Sequence, residues 1–259
     1  MNFFINEILE NDQIKEILKD YNRKDEAKEI AEKVMNGETV KVENGIFPIC
    51  VLAYLAPYAI RKNEQRGIIK EVTVKSLKDI NVWIDNYFIK NKELGLGEFN
   101  WLIYHYTGDL FHLGRLQFRL EKSLEGIPEC EYAIETHIPQ GEALTEEKCL
   151  EAFEKAKEFF AKYFPEVEVK YFMCDSWLLN PNLEKILKSE SNVVKFMKLW
   201  TPVPFVSDNS SQAIQRVFGF NFKKDNLISA PENTSLQKAL KEFLLNGGTM
   251  DITLGYRKI

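Results

Sequence analysis

Glu135 and His137 stand two residues apart in the segment ECEYAIETHI, a carboxylate and an imidazole that share one face if the segment is a strand. Such a pair suits general base catalysis. It can take a proton from an attacking nucleophile, a contribution of about 10²–10⁴ in rate. A second cluster, Cys174-Asp175-Ser176-Trp177, offers a carboxylate that can act as a general acid or anchor a cation, and a thiol for covalent catalysis. With His137 in hydrogen-bond reach and a lowered thiol pKa, Cys174 would define a thiol hydrolase. As plain structure, Asp175-Ser176 caps a turn or helix beside a packed Trp177.

Other chemistry-bearing residues have structural explanations. His105, Asp109 and His112 surround a Thr107-Gly108 turn, but no further ligand type accompanies them, so packing is expected and no metal site. Phe99, Trp101, Tyr104 and Tyr106 lie near helical spacing, the pattern of buried core, with a substrate-lining role as the alternative. Arg115 and Arg119 share a strand face, suited to an acidic acceptor, to nucleotide phosphates, or to pairing with Glu131.

The elements that must position these residues fall into two parts. Up to about Thr107 the pattern is helical: Ala27, Ile30, Ala31 and Val34 line one face, and Asn36-Gly37 ends that helix. The apolar run from Ile46 to Ile60, broken by Pro48 and Pro57, is too short to span a membrane and reads as a buried helix. Ser76-Leu77-Lys78-Asp79 has the form of a capping box, followed by a stripe of Leu77, Ile80, Ile84, Tyr87 and Phe88. After Gly108 the period changes to two, with Leu116, Phe118 and Leu120 alternating with Arg115, Gln117, Arg119 and Glu121. A helical domain over 1–108 and a mixed α/β domain over 109–259 follow.

Within the second part, Gly126-Ile127-Pro128 turns into a strand from Cys130 to Ile138, an antiparallel neighbour of the first. Thr145 then caps a long helix with Cys149, Ala152, Phe153, Ala156, Phe160 and Tyr163 on its buried stripe. Val167 to Cys174 is a further strand, completing a βαβ unit with parallel strands. A short helix near Leu183–Leu187, a strand from Val193 to Trp200, a helix opened by Asp208 or Asn209, a helix near Leu236–Leu245 and a closing strand through Met250, Ile252, Leu254 and Tyr256 complete the expected order. Ligands of such sheets settle at the carboxyl ends of parallel strands, here His137 to Leu144 and Cys174 to Trp177.

Bulk properties narrow the class. A chain of 259 residues, 45% hydrophobic, can bury a real core. Its net charge of −5 gives no attraction to nucleic acid or anionic membranes. Four dispersed cysteines and an acidic start, MNFFINEILENDQ, fit a reducing cytoplasm.

The strings LGRLQF, IETHIPQGEAL, CDSWLLNP and SNVVKF, in this order of elements, resemble a bacterial family of N-acyltransferases with a helical N-terminal domain and a GNAT-like C-terminal domain, over nearly the whole chain. The resemblance implies an α+β fold whose GNAT-like mixed sheet carries flanking helices. It also implies transfer from acyl-CoA, first of all acetyl-CoA, to a small-molecule amine. By position the acyl-CoA gap lies between the strands ending at Ile138 and Cys174, with Ile138, Gln140, Gly141, Glu142 and Ala143 as the pyrophosphate loop and Glu135, His137 and Asp175 as catalytic candidates. Gly141-Glu142-Ala143 keeps half of the superfamily's loop pattern, while Ile138 stands where Gln or Arg is usual. Glu142, Glu146 and Glu147 suit a helix start but repel a diphosphate. The alternatives are a GNAT-fold ligand-binding or regulatory protein without catalysis, and the Cys174 hydrolase.

Overall fold

Apolar residues at helical spacing build α1 (Asn2–Glu7), α2 (Asp12–Lys19), α3 (Lys24–Met35), α4 (Ile46–Gln65), α5 (Lys70–Leu77), α6 (Asp79–Asn91) and α7 (Phe99–Tyr106). The computed structural model describes residues 1–203 and 207–259 as two units, Met1–Leu113 with Gln117–Arg119, and Gly114–Leu116 with Leu120–Ile259. In the first unit α3 buries Ala27, Ala31 and Val34. It ends where Gly37, at φ +80°, donates to the Val34 carbonyl while Glu38 N–H donates to that of Lys33. The expected buried helix is α4, apolar on nearly every side, with Pro48 in the first turn where its missing N–H costs nothing. Among the described residues no helix is long and apolar enough to cross a membrane.

The stretch around Ser76 differs from expectation. Ser76 lies inside α5, its Oγ donating to the Val72 carbonyl and accepting from His112 N–H, so it caps nothing. Leu77 closes α5, Ile80 and Ile84 are buried on α6, and Phe88 is exposed, so the proposed single stripe is split between two helices. Asp79 is drawn inward instead. Its carboxylate accepts from Trp83 Nε1 and from Gln117 Nε2, both at 2.8 Å, and lies 3.5 Å from Nε2 of the fully buried His105. That acceptor explains why Gln117 is buried on the strand face expected to be polar.

The second part of the chain forms β1 (Phe111–Leu113), β2 (Leu116–Lys122), β3 (Tyr132–His137), α8 (Glu146–Tyr163), β4 (Val169–Ser176), a 3-10 turn (Trp177–Leu179), α9 (Leu183–Ile186), α10 (Asn192–Met197), β5 (Thr201–Val203), α11 (Ser211–Phe218), a second 3-10 turn (Lys224–Ser229), α12 (Ser235–Leu245) and β6 (Thr253–Lys258). The strands lie in the order β1-β2-β3-β4-β6-β5, a mixed sheet in an α+β fold. The βαβ unit is present: β3 and β4 are parallel, joined through α8, while β4 and β5 each pair antiparallel with β6. The strand expected over Val193 to Trp200 is instead α10 followed by a turn. Ser191 caps it, its Oγ accepting from Val194 N–H, and burial of Val194 and Met197 one turn apart overrides the β preference of the Val-Val pair. The short strands β1 and β5 lack any alternation long enough to read.

Replacing Asp79 by Ala leaves the buried Gln117 amide and the part-buried Trp83 indole N–H without their acceptor. An equilibrium urea titration should show unfolding free energy lower by about 3–5 kcal/mol. A change within about 0.5 kcal/mol would show that Asp79 does not organise this core.

Candidate active site

The paired register of β3 and β4 runs from Tyr132↔Val169 to Glu135↔Met173, yet β3 continues to His137 and β4 to Ser176. The parallel pair therefore parts at its carboxyl end, while β4 stays joined to β6 as far as Ser176↔Thr253. Side-chain direction follows from the register. Phe172 packs its ring 4.9 Å from Phe153 of α8, so Phe172, its partner Ile134, and the residues two further on, Cys174 and Thr136, face α8. Glu135, its partner Met173, His137 and Asp175 face the opposite side.

The structure thus brings the three catalytic candidates to one face of the sheet at two adjacent strand ends. Glu135 Oε2 and His137 Nε2 are 3.2 Å apart, the carboxylate nearly buried and the imidazole about one-fifth exposed. Asp175 is half-buried on the neighbouring strand. Its neighbours in the cluster are structural: Ser176 Oγ accepts from Leu178 N–H at 3.2 Å, and Trp177 is buried in the core formed with Leu183, Val194 and Leu240. Trp177 N–H donates to Gln212 Oε1, a tie between residues 35 apart that no sequence pattern signals.

Cys174 does not fit the hydrolase reading. Burial, and then the charges of Asp175 and Glu135, hold its thiol well above the ordinary range, so it carries no thiolate. It also faces α8, away from the His137 imidazole.

The loop after β3 turns outward, with Gln140, Gly141, Glu142 and Ala143 exposed and Ile138 half-buried. Gly141 is at φ +132°, a conformation side chains disfavour, although a Cβ there would meet no atom within 4 Å. Arg115 holds both ends of the loop, Nη1 donating to the Pro139 carbonyl at 2.9 Å and Nε to that of Glu142 at 2.8 Å. Its guanidinium is thus committed to shaping the loop, and Arg119 lies 4.1 Å from the Tyr104 ring centroid. The Glu142 carboxylate pairs with Lys148, which offsets the charge that disfavours an anion here. Thr145 caps α8 through Lys148 N–H.

The remaining candidates disperse. His105 faces Asp79, and Asp109 pairs with Lys62 at 2.6 Å. Among the described residues no three His, Cys, Asp or Glu side chains gather as a metal site.

A helix-bearing mixed sheet whose one parallel pair opens at its carboxyl end, with a glycine loop leading into a helix, is the architecture of GNAT-like proteins. The chain belongs to the N-acyltransferase family: the GNAT-like C-terminal domain matches residues 110–257 and the N-acyltransferase N-terminal domain residues 5–108. Solved acyltransferases resemble it. One in complex with CoA and 10C-teicoplanin shares 27% identity over 82% of this chain at a TM-score of 0.74, and this chain spans 66% of that one's length. A mutant acyltransferase with octanoyl-CoA superposes over 100% of this chain and 86% of its own at 0.84, with 23% identity. Another, with decanoyl-CoA and teicoplanin, gives 0.81 over 99% and 86%, with 22% identity. No curated protein matches the sequence.

Burial raises Cys50 and Cys149 to about 11 and Cys174 well above the usual thiol value. In native protein at about pH 8, a disulfide reagent should therefore modify only the half-buried Cys130 readily, and all four cysteines after unfolding. Rapid native labelling at Cys174, read by peptide mapping, would restore the nucleophile.

Proposed function

We propose that the protein transfers an acyl group from acyl-CoA to a small-molecule amine. The observation that carries this reading is the end of the β3–β4 register at Glu135↔Met173, ahead of both strand ends, with Glu135, His137 and Asp175 on one face of the opening. Exposed backbone at Gln140, Gly141, Glu142 and Ala143, with Ile138 at the loop's root, is where the pyrophosphate would be held. The start of α8 adds its dipole there. When bound, acyl-CoA supplies an activated thioester carbonyl.

The chain's own groups handle the protons. His137 takes the proton the amine gives up as nitrogen bonds to the acyl carbon, and Glu135, 3.2 Å away, orients the imidazole. Asp175 delivers a proton to the sulfur as the carbon–sulfur bond breaks. No covalent acyl-enzyme is needed, in keeping with a protonated Cys174. Similar acyltransferases are solved with octanoyl-CoA and decanoyl-CoA, so these donors stand beside acetyl-CoA as candidates. Two of these acyltransferases are solved with teicoplanin or 10C-teicoplanin, which supports a small-molecule acceptor.

One feature favours the reading without catalysis: Ile138, in place of Gln or Arg, removes a polar group from the loop. Binding of acyl-CoA with no release of free CoA thiol in the presence of any amine would establish that alternative.

With an amine that is turned over, His137→Ala and Glu135→Gln should each lower kcat by about 10²-fold or more, with the thermal midpoint kept. Gly141→Val forces a side chain into a disfavoured conformation worth about 1–3 kcal/mol, so calorimetry should show CoA affinity about tenfold weaker. Full activity in all three would place the site elsewhere.

A further inference from the structure

Residues directly opposite each other on neighbouring strands point to the same side of a sheet. Asp175 of β4, Leu254 of β6 and Val203 of β5 stand level in this way, so the Val203 side chain lies on the face that carries Glu135, His137 and Asp175. There it meets a part of the chain from beyond two other strands. A Cβ on Gly126, in the connection between β2 and β3, would overlap Val203 Cγ1 and lie 3.6 Å from Val203 Cβ. Since β4 and β6 stand between β3 and β5, the connection over 123–131 has to pass over that face to reach Val203. It forms a strap. Two apolar residues of the face, Met173 and Leu254, are buried, which a bare sheet face would not allow.

The strap is firm at its foot and lightly held at its tip. Ser123 N–H donates to the Glu131 carbonyl at 2.9 Å, and Cys130 Sγ donates to Ser123 Oγ at 3.4 Å. Ile127 N–H donates to the Leu124 carbonyl, which makes the tip a tight turn. Gly126 is at φ +95°, and its seat on Val203 leaves no room for a side chain, so the close approach needs glycine on both counts. Among the described residues no hydrogen bond joins residues 124–128 to β5 or β6. Packing alone seats the tip, and lifting it breaks no hydrogen bond to the sheet. Glu125, Glu129 and Glu131 lie in the strap with no Lys or Arg over 123–131, which favours the approach of a cation.

We infer that the β2–β3 connection is a gate on the acceptor side of the site: it lies closed over the Glu135–His137–Asp175 face and lifts to admit a protonated amine. This role rests on the proposed acyl transfer. Binding of CoA at the loop before α8 does not pass the strap and is not gated by it.

The test locks the strap and measures access beneath it. The 3.6 Å between the two Cβ positions suits a disulfide, whose Cβ atoms lie about 3.5–4.5 Å apart, so Gly126→Cys with Val203→Cys should cross-link on oxidation, with Cys130→Ser removing the competing thiol. Access is read as coupling of glycine ethyl ester to Asp175 by a water-soluble carbodiimide, followed by peptide mapping, with the exposed Glu158 of α8 as control. In the oxidised protein Asp175 should react at least about tenfold more slowly than after reduction, with Glu158 and the calorimetric affinity for CoA unchanged. Gly126→Ala, whose methyl would push the tip off Val203, should speed Asp175 labelling about threefold or more, and adding Val203→Ala should bring it back toward wild type. This second pair carries the test if the double cysteine does not fold.

Equal Asp175 labelling in the oxidised and reduced forms overturns the inference alone, as does Gly126→Ala without effect on that labelling. So does failure of the two cysteines to pair in the folded protein, which would show that the tip is not seated on Val203. CoA affinity lost on oxidation and regained on reduction would show that the strap covers the CoA gap and not the acceptor side. Failure of the wild-type chain to bind CoA would overturn the acyl-CoA reading itself, with the strap still judged by Asp175.

Discussion

Parallel strands cannot be joined by a tight turn, and that constraint places every other feature of the site. Because β3 and β4 run the same way, the chain must return through a helix, and the return sets both carboxyl ends side by side with α8 beginning between them. A sheet paired to its ends would close this region. Here β4 is held by β6 through Ser176, while its pairing with β3 stops at Glu135↔Met173. The rigid partner on one side lets the other side open without loss of the strand.

Alternation then divides β3 between two faces: Glu135 and His137, the candidate pair, point away from α8, and Ile134 and Thr136 point toward it. The loop beyond is costly by itself: it carries a glycine at positive φ and a glutamate near the prospective anion. Arg115 stabilises its carbonyls from the β1–β2 turn, and Lys148 neutralises Glu142 from the first turn of α8. Both supports come from outside the loop. It can therefore stay exposed for a ligand and still keep one shape.

Much of this frame was legible in the sequence because its signals are local. The alternation in β3, the 3.6-residue stripe of α8 behind the Thr145 cap, and the β-branched and aromatic run of β4 gave the parallel unit and its strand ends. Glu135, His137 and Asp175 were readable as a group because strand periodicity alone puts the first two on one face. What escaped was set by distant partners. Gln117 reads as a solvent-facing strand residue until Asp79, 38 positions earlier, accepts its amide. Arg115 reads as a cation for a ligand or for Glu131 until the loop carbonyls claim it. Val193-Val194 reads as a strand, yet Ser191 and the burial of Val194 and Met197 make a helix of it.

The central claim is that acyl-CoA is bound where β3 and β4 part, and amide hydrogen exchange with and without CoA tests it most directly. The account expects slower exchange confined to the end of β3, the loop into the start of α8, and the end of β4, over residues 136–148 and 174–178, with the rest of the sheet unchanged. Protection centred on another part of the chain, with these segments exchanging as in the free protein, would contradict it.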